Sequence, residues 1–185
     1  MSLEYKLKTP LKKEDLARLK IGDKVLLSGK IYTARDAAHK RLVQLIKEGK
    51  ELPIELEGQA IYYVGPTPPK PGQVIGSAGP TTSERMDPYA PLLLDHGLKA
   101  MIGKGQRSNA VVEAIKRNGA VYFAATGGVG VLLAKAVKSS RIVAYEELGA
   151  EAIRELEVED FPLIVAIDAQ GRDLYAEGVN QYCLP

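Results

Sequence analysis

Three hydroxyl residues in a row, Thr81, Thr82 and Ser83, stand just ahead of an arginine in the segment GPTTSERMD, Gly79–Asp87. At a strand-to-helix turn, such hydroxyls combine with main-chain N–H groups to make a receptor for a carboxylate or phosphate. Arg85 adds a planar fork that can meet a carboxylate through two hydrogen bonds. The plainer alternative is that Thr82 or Ser83 simply caps the helix that follows. Capping needs one hydroxyl and leaves the other two, and Arg85, without a purpose, so the segment is read as an anion-gripping loop.

Two more loops carry cations. In YTARDAAH, Arg35 opens a helix whose free N–H groups already favour anions. A cation there is mildly unfavourable, which calls for either an anionic ligand or an acidic neighbour such as Asp36. His39, one turn later, faces the same side and reads as a core or structural histidine. In GKGQ, Gly103 and Gly105 let the main chain approach a ligand closely while Lys104 supplies charge. A plain turn with an exposed lysine explains the same residues, and the glycine spacing of a phosphate loop is absent. TGGVG, residues 126–130, has the look of a dinucleotide loop, but its glycines are not spaced as GxGxxG. Close helix packing or a carboxylate-contacting turn suits it better than a nicotinamide site.

Several chemistries are excluded by what is scarce. The single cysteine, Cys183, allows no disulfide framework. Nor can one thiol hold an iron–sulfur cluster, which usually takes three or four. Two histidines, His39 and His96, are too few for a dedicated zinc site, and no metal ligand is assigned. A net charge of +2 is too small for a nucleic-acid partner, and aromatics do not interleave with basic runs. Lys12-Lys13 and Lys40-Arg41 read as solvated faces. No GxSxG or similar nucleophile pattern marks a hydrolase. With 45% hydrophobic and 26% charged residues the composition is that of an ordinary globular chain. No window approaches the ~18 apolar residues of a membrane span. The charged N-terminus lacks a secretory apolar segment, so a cytoplasmic location and no membrane partner are expected.

The elements that must position these loops alternate. Val25–Leu27 reads as a strand leading into a helix over Ala34–Ile46, with Thr33 and Asp36 as a loose capping box and Gly49 as its stop. Ala60–Val64 reads as a strand ended by Gly65-Pro66. The proline-rich stretch to Pro80 is irregular around a short Val74-Ile75 strand. Helices are expected over MDPYAPLLLDHG and after GKGQ, capped by Ser108 or Asn109. Further strands are expected at Leu98–Ile102, Ala120–Ala124, Arg141–Ala144 and Leu163–Ile167, with a turn at Gly171. The pattern is α/β with a mixed, partly parallel sheet, residues 1–185 forming one domain with a flexible tail at 179–185. In such sheets ligands sit beyond the carboxyl ends of the strands.

In series, IYTARDAAHKR, IYYVGPTP, GPTTSERMD, MIGKG, AATGGVG and VEDFPLIVAIDAQGRDLY resemble the C-terminal catalytic region of class I, iron–sulfur-dependent fumarases and the related tartrate dehydratases. The resemblance runs from about Leu7 to Gly178. It implies a swivelling β/β/α domain of three layers and the β subunit of a two-part hydro-lyase that interconverts malate and fumarate. Tartrate dehydration is the nearest alternative. The cofactor implied is a 4Fe–4S cluster bound by an α subunit, with none bound by this chain. By similarity Arg35, Arg85 and Lys104 would bind the carboxylates of a small dicarboxylate, and Thr81 would be the candidate base. His39, Thr82, Ser83 and Gly105 would support them. An α2β2 assembly, or a homo-oligomer of the isolated chain, is expected. A non-catalytic dicarboxylate-binding or assembly module is a reading of another class; it would not need Thr81, Arg85 and Lys104 together.

Overall fold

Apolar runs that do not alternate, such as AIYY at 60–63 and VYF at 121–123, call for a sheet packed on both faces. The computed structural model describes residues 3–125 and 130–182, with side chains up to residue 178, and contains such a sheet. Strands β1 (Glu4–Lys8), β2 (Lys24–Thr33), β3 (Ala60–Tyr62), β4 (Ala100–Gly103) and β5 (Val121–Ala124) pair in that order, all parallel. β6 (Val137–Ala144) and β7 (Ile153–Ile167) are antiparallel, and β7 also pairs antiparallel with β5. The length of β7 lets it reach β2 as well, from Lys24↔Ile164 to Thr33↔Arg154. The mixed sheet is therefore partly closed on itself.

Parallel neighbours need long crossovers, and helices provide them. They are α1 (Lys13–Ala17), α2 (Asp36–Lys47), α3 (Ala90–Asp95) and α4 (Asn109–Asn118), while α5 (Gly130–Lys135) lies between β5 and β6 and α6 (Leu174–Tyr182) follows β7. Short 3-10 turns occupy Ser83–Met86 and Glu146–Glu151. Successive strand residues feed two apolar cores. Ala60, Tyr62, Ile102, Val121 and Phe123 join Leu27 and Phe161 in one. Ile61, Tyr63, Met101 and Tyr122 face the other, with Ala38 and Leu42 of α2, Leu93 of α3 and Val111 of α4. Period-two side-chain alternation thus places each strand's neighbours on opposite faces, both of them buried. No helix among the described residues is long and apolar enough to cross a membrane.

Several local expectations are corrected. No strand forms at Val74-Ile75: the segment folds back, with Thr67 N–H donating to the Ser77 carbonyl and Ser77 N–H to Thr67 Oγ1. Prolines at 66, 68, 69 and 71 remove the donors a strand would need. Thr33 does not cap α2, because its hydroxyl is committed to β7, accepting from Arg154 N–H at 3.1 Å. The cap position is Arg35, without a side-chain capping bond. Ser108 occupies the cap of α4 in the same way, its side chain making no capping bond. Gly49 follows the end of α2 with φ +64°, as its role as a stop requires. β1 was not anticipated. The backbone of residues 179–182 continues α6, and the rest of the expected tail, with Cys183, lies outside the described residues.

Candidate active site

The hydroxyl triplet is wedged between the carboxyl ends of two neighbouring parallel strands. Thr81 N–H donates to the Tyr63 carbonyl just past β3, at 2.7 Å. Ser83 N–H donates to the Lys104 carbonyl just past β4, at 2.9 Å, and Thr82 pairs with Lys104 as an isolated parallel bridge. These main-chain bonds fix Thr81, half-buried, at the rim where α/β sheets present ligands. Thr82 and Lys104 beside it are exposed.

Ser83 has a different task. It is fully buried, and the Tyr122 hydroxyl hydrogen-bonds both Ser83 Oγ, at 2.8 Å, and the Gly105 carbonyl, at 3.0 Å. A Cβ at residue 103 would run into the Ser83 hydroxyl, so glycine there lets the loop lie against β4. Gly105 has φ +86°, a conformation that favours glycine, and its N–H donates to the Tyr175 hydroxyl at 3.2 Å. Ser83 and Gly105 therefore support the rim rather than face it.

The cations come from three elements. Arg85, on the 3-10 turn, is half exposed and ion-paired with Asp36 at the first turn of α2. Arg35, immediately before α2, packs against the backbone of Gly65, where a Cβ would come within 2.8 Å of its Nη1. Its Nε lies 3.5 Å from Glu151 Oε1 and is buried without a hydrogen bond. The acid answering Arg35 is thus Glu151, while Asp36 answers Arg85. Lys104 has no carboxylate in ion-pair range among the described residues. The Asp36–Arg85 ion pair links the start of α2, with Arg35 next to Asp36 in the chain, to the hydroxyl loop, and the Thr82–Lys104 bridge links that loop to Lys104.

His39 is completely buried, edge-on to Tyr63 with ring centres 5.2 Å apart. Its Nδ1 lies 2.9 Å from the Arg35 carbonyl, which can only accept, so Nδ1 carries the proton. Burial pushes its pKa down to about 4, against the pull of that hydrogen bond, and the ring is neutral near pH 7. The core-histidine reading matches this placement. His39 holds the turn that carries Arg35, and its Nε2 has no partner.

Sequence reasoning missed Asp87 and Arg107. Arg107 is buried between the rings of Tyr63 and Tyr122, its Cζ 5.3 and 4.8 Å from their centres. Its Nε donates to Asp87 Oδ1 at 2.6 Å, and Asp87 Oδ2 accepts from Ser108 N–H at 2.6 Å. Asp87, last residue of GPTTSERMD, thus anchors the start of α4 through the N–H of its cap residue, while neither Ser108 nor Asn109 makes a side-chain capping bond. The only signal available was an acid closing one candidate loop and an arginine closing the next. Residues 126–129 of TGGVG lie outside the described residues. Its last glycine packs closely, with a Cβ at Gly130 coming within 2.9 Å of Gly79 N.

The described residues bring together no three His, Cys, Asp or Glu side chains able to hold a metal. With one cysteine in the sequence, an iron–sulfur cluster does not fit this chain. A cleft of about 470 Å³ lies between the 67–77 segment and α5, and none of Arg35, Thr81, Arg85 or Lys104 lines it. The rim that bears the cations is open to solvent.

The family model described as Fumarase C-terminus matches residues 2–178. The chain belongs to this family. Among curated members, it is 43% identical over 176 residues to the anaerobic class I fumarate hydratase of Escherichia coli K12, covering 92% of this chain and 32% of that protein. It is 38% identical to fumarate hydratase 2 of Leishmania major, covering 95% of this chain and again 32% of the relative. The chain therefore spans about a third of the length of these fumarate hydratases. A putative L(+)-tartrate dehydratase subunit beta of Methanocaldococcus jannaschii is 42% identical, with 90% of this chain and 89% of that one covered. Family membership thus places the chain among relatives named class I fumarate hydratase and putative tartrate dehydratase subunit beta.

Proposed function

We propose that this chain is the β subunit of a two-component hydro-lyase that interconverts (S)-malate and fumarate. The observation that supports it most is the joined set of Thr81, Arg85, Arg35 and Lys104 at the carboxyl ends of β2, β3 and β4, in a Fumarase C-terminus chain. Dehydration removes a weakly acidic proton beside a carboxylate, and negative charge builds there in the transition state. Cations fixed before reaction around that carboxylate stabilise the transition state more than the ground state. Arg35, Arg85 and Lys104 would grip the two carboxylates, and the open rim leaves room for a second chain.

Thr81 is the proposed proton acceptor. A threonine hydroxyl by itself is too weakly acidic to serve as a ready base. It needs the positive field of Lys104 and Arg85, or a relay to a carboxylate on the partner. A 4Fe–4S cluster would belong, in this reading, to the α subunit. The same reading takes the domain to be of the swivelling, three-layer β/β/α kind, acting in the cytoplasm within an α2β2 assembly. Tartrate is the second substrate candidate, because the putative tartrate dehydratase subunit and this chain cover each other to about nine-tenths.

The deciding experiment combines the chain with an anaerobically reconstituted α subunit and assays malate, fumarate and L(+)-tartrate. Turnover of malate and fumarate by the mixture, and by neither part alone, is expected. Malate dehydration by the metal-free chain alone would overturn the two-component division. Preferential turnover of tartrate would replace malate as substrate.

A further inference from the structure

Two loops carry the proposed binding groups, GPTTSERMD with Thr81 and Arg85, and GKGQ with Lys104. They are separate in sequence, and their spacing sets what ligand can bridge them. Beneath the rim, a buried layer fastens one to the other. Asp87 ends the first loop and Arg107 ends the second, and their ion pair is almost wholly removed from water, with side-chain exposures of 9% and 0%. Asp87's second oxygen takes the N–H of Ser108, fixing the start of α4. The Arg107 fork reaches further, with Nη2 3.4 Å from the Tyr63 hydroxyl and Nη1 3.5 Å from Met101 Sδ. Tyr122 adds a tie between the loops, through Ser83 Oγ and the Gly105 carbonyl, to the main-chain bond from Ser83 N–H to the Lys104 carbonyl. Tyr63 joins the same layer, since its carbonyl holds Thr81 N–H.

Neither Asp87 nor Arg107 has a hydrogen-bonding group directed at solvent that a ligand would use. Both are buried in side-chain contacts, so their effect passes through the loops. Burying such a pair is costly unless every group is matched, and here the carboxylate oxygens and the guanidinium all find partners. We propose that Asp87 and Arg107 are positioning residues that set the spacing between Arg85 and Lys104, and with it the length of dicarboxylate the site accepts. This rests on the reading of function above. Lysine could keep the charge of Arg107 but not its planar fork between two aromatic rings.

The test uses Arg107→Lys and the milder Tyr122→Phe, which keeps the ring and removes only the hydroxyl tie. Amide hydrogen exchange on the full chain is read first. Ser83, Gly105 and Ser108 are expected to exchange at least about tenfold faster in Arg107→Lys, while core strand amides at Ile102 and Phe123 keep their protection. In the α/β complex, kcat/KM for the four-carbon substrate is expected to fall about a hundredfold in Arg107→Lys, the scale of a misplacement near 1 Å. Competitive inhibition by malonate, succinate and glutarate supplies the readout that a purely structural role leaves alone. The preference for succinate over its shorter and longer neighbours should narrow in Arg107→Lys and, to a lesser degree, in Tyr122→Phe. Unchanged exchange at Ser83 and Gly105, or an unchanged length preference in a folded variant, would overturn the proposal. If the wild-type complex turns over neither malate nor tartrate, the functional reading fails by itself. Exchange then still decides whether the pair couples the two loops.

Discussion

Substituting alanine at Gly103 tests how closely the GPTTSERMD loop is laid on the sheet. The added Cβ would stand 1.9 Å from Ser83 Oγ, 3.0 Å from Tyr63 Cδ2 and 3.3 Å from Ser83 Cβ, where ordinary contact begins at 3.4 Å. Relieving the first contact needs 3.4 − 1.9 = 1.5 Å of movement, and Ser83 is fully buried and tied to Tyr122. Overpacking of this kind costs about 1–3 kcal/mol. For a chain of this size that lowers Tm by about 2–12 °C. Movement of Ser83 carries Thr81 and Arg85 with it, so kcat/KM in the α/β complex should fall about a hundredfold. Ser83→Ala alone removes one hydrogen bond and should cost about 1 kcal/mol, since Tyr122 keeps the Gly105 carbonyl. In the double variant the worst contact is gone and 3.0 Å is the closest remaining approach. The double should therefore be more stable and more active than Gly103→Ala alone, with a coupling of about 1 kcal/mol or more by urea denaturation. Additive losses in the double-mutant cycle would refute the reasoning, because no shared contact would then exist.

Two further outcomes are expected. His39 is neutral in the fold with a pKa near 4, against 6.5 unfolded, so the unfolded chain binds the extra proton below pH 6.5. Stability from this group is full above pH 6.5 and is lost as pH falls towards 4, by about 3 kcal/mol in all. Asp36 favours and Arg107 opposes the ring's charge, and the effect is read by comparing urea midpoints of the wild type and His39→Phe between pH 7.5 and 4.5. Equal pH slopes for the two proteins would sink it. At Thr81, the serine variant should keep substantially more kcat than the valine variant in the α/β complex, since only serine retains a hydroxyl. Equal losses would remove hydroxyl chemistry from the mechanism.

Much of the frame was legible because it is written locally. AIYY, AMI and VYF are apolar without interruption, and only a sheet covered on both faces accommodates that. The spacing of Ala38, Leu42 and Ile46 marked the buried stripe of α2, and Gly49 its stop. The proline-rich stretch was legible as irregular but not in its path. Thr67 and Ser77 meet across a reversal that no short window contains. Thr33 misled for a related reason: a hydroxyl before a helix is a cap unless something distant claims it, and β7 does, 121 residues away.

The candidate site divides in the same manner. Residue type drew attention to the three hydroxyls, Arg85, Arg35 and Lys104, with plainer readings open for each loop, and the family resemblance singled out Thr81 and gave the cations their expected roles. The sequence also showed a single cysteine, short of the three or four thiolates an iron–sulfur cluster usually takes, since thiols are counted and not folded. Which acid meets which arginine was a tertiary matter, and chain adjacency pointed the wrong way: Arg35 faces Glu151, while Asp36 serves Arg85. Arg107 could be read as one more surface cation until Tyr63 and Tyr122 enclosed it and Asp87 met its charge. Charge and hydrogen-bonding capacity are properties of a residue. The distances and burial that decide what they are worth come only when strands far apart in the chain pack side by side.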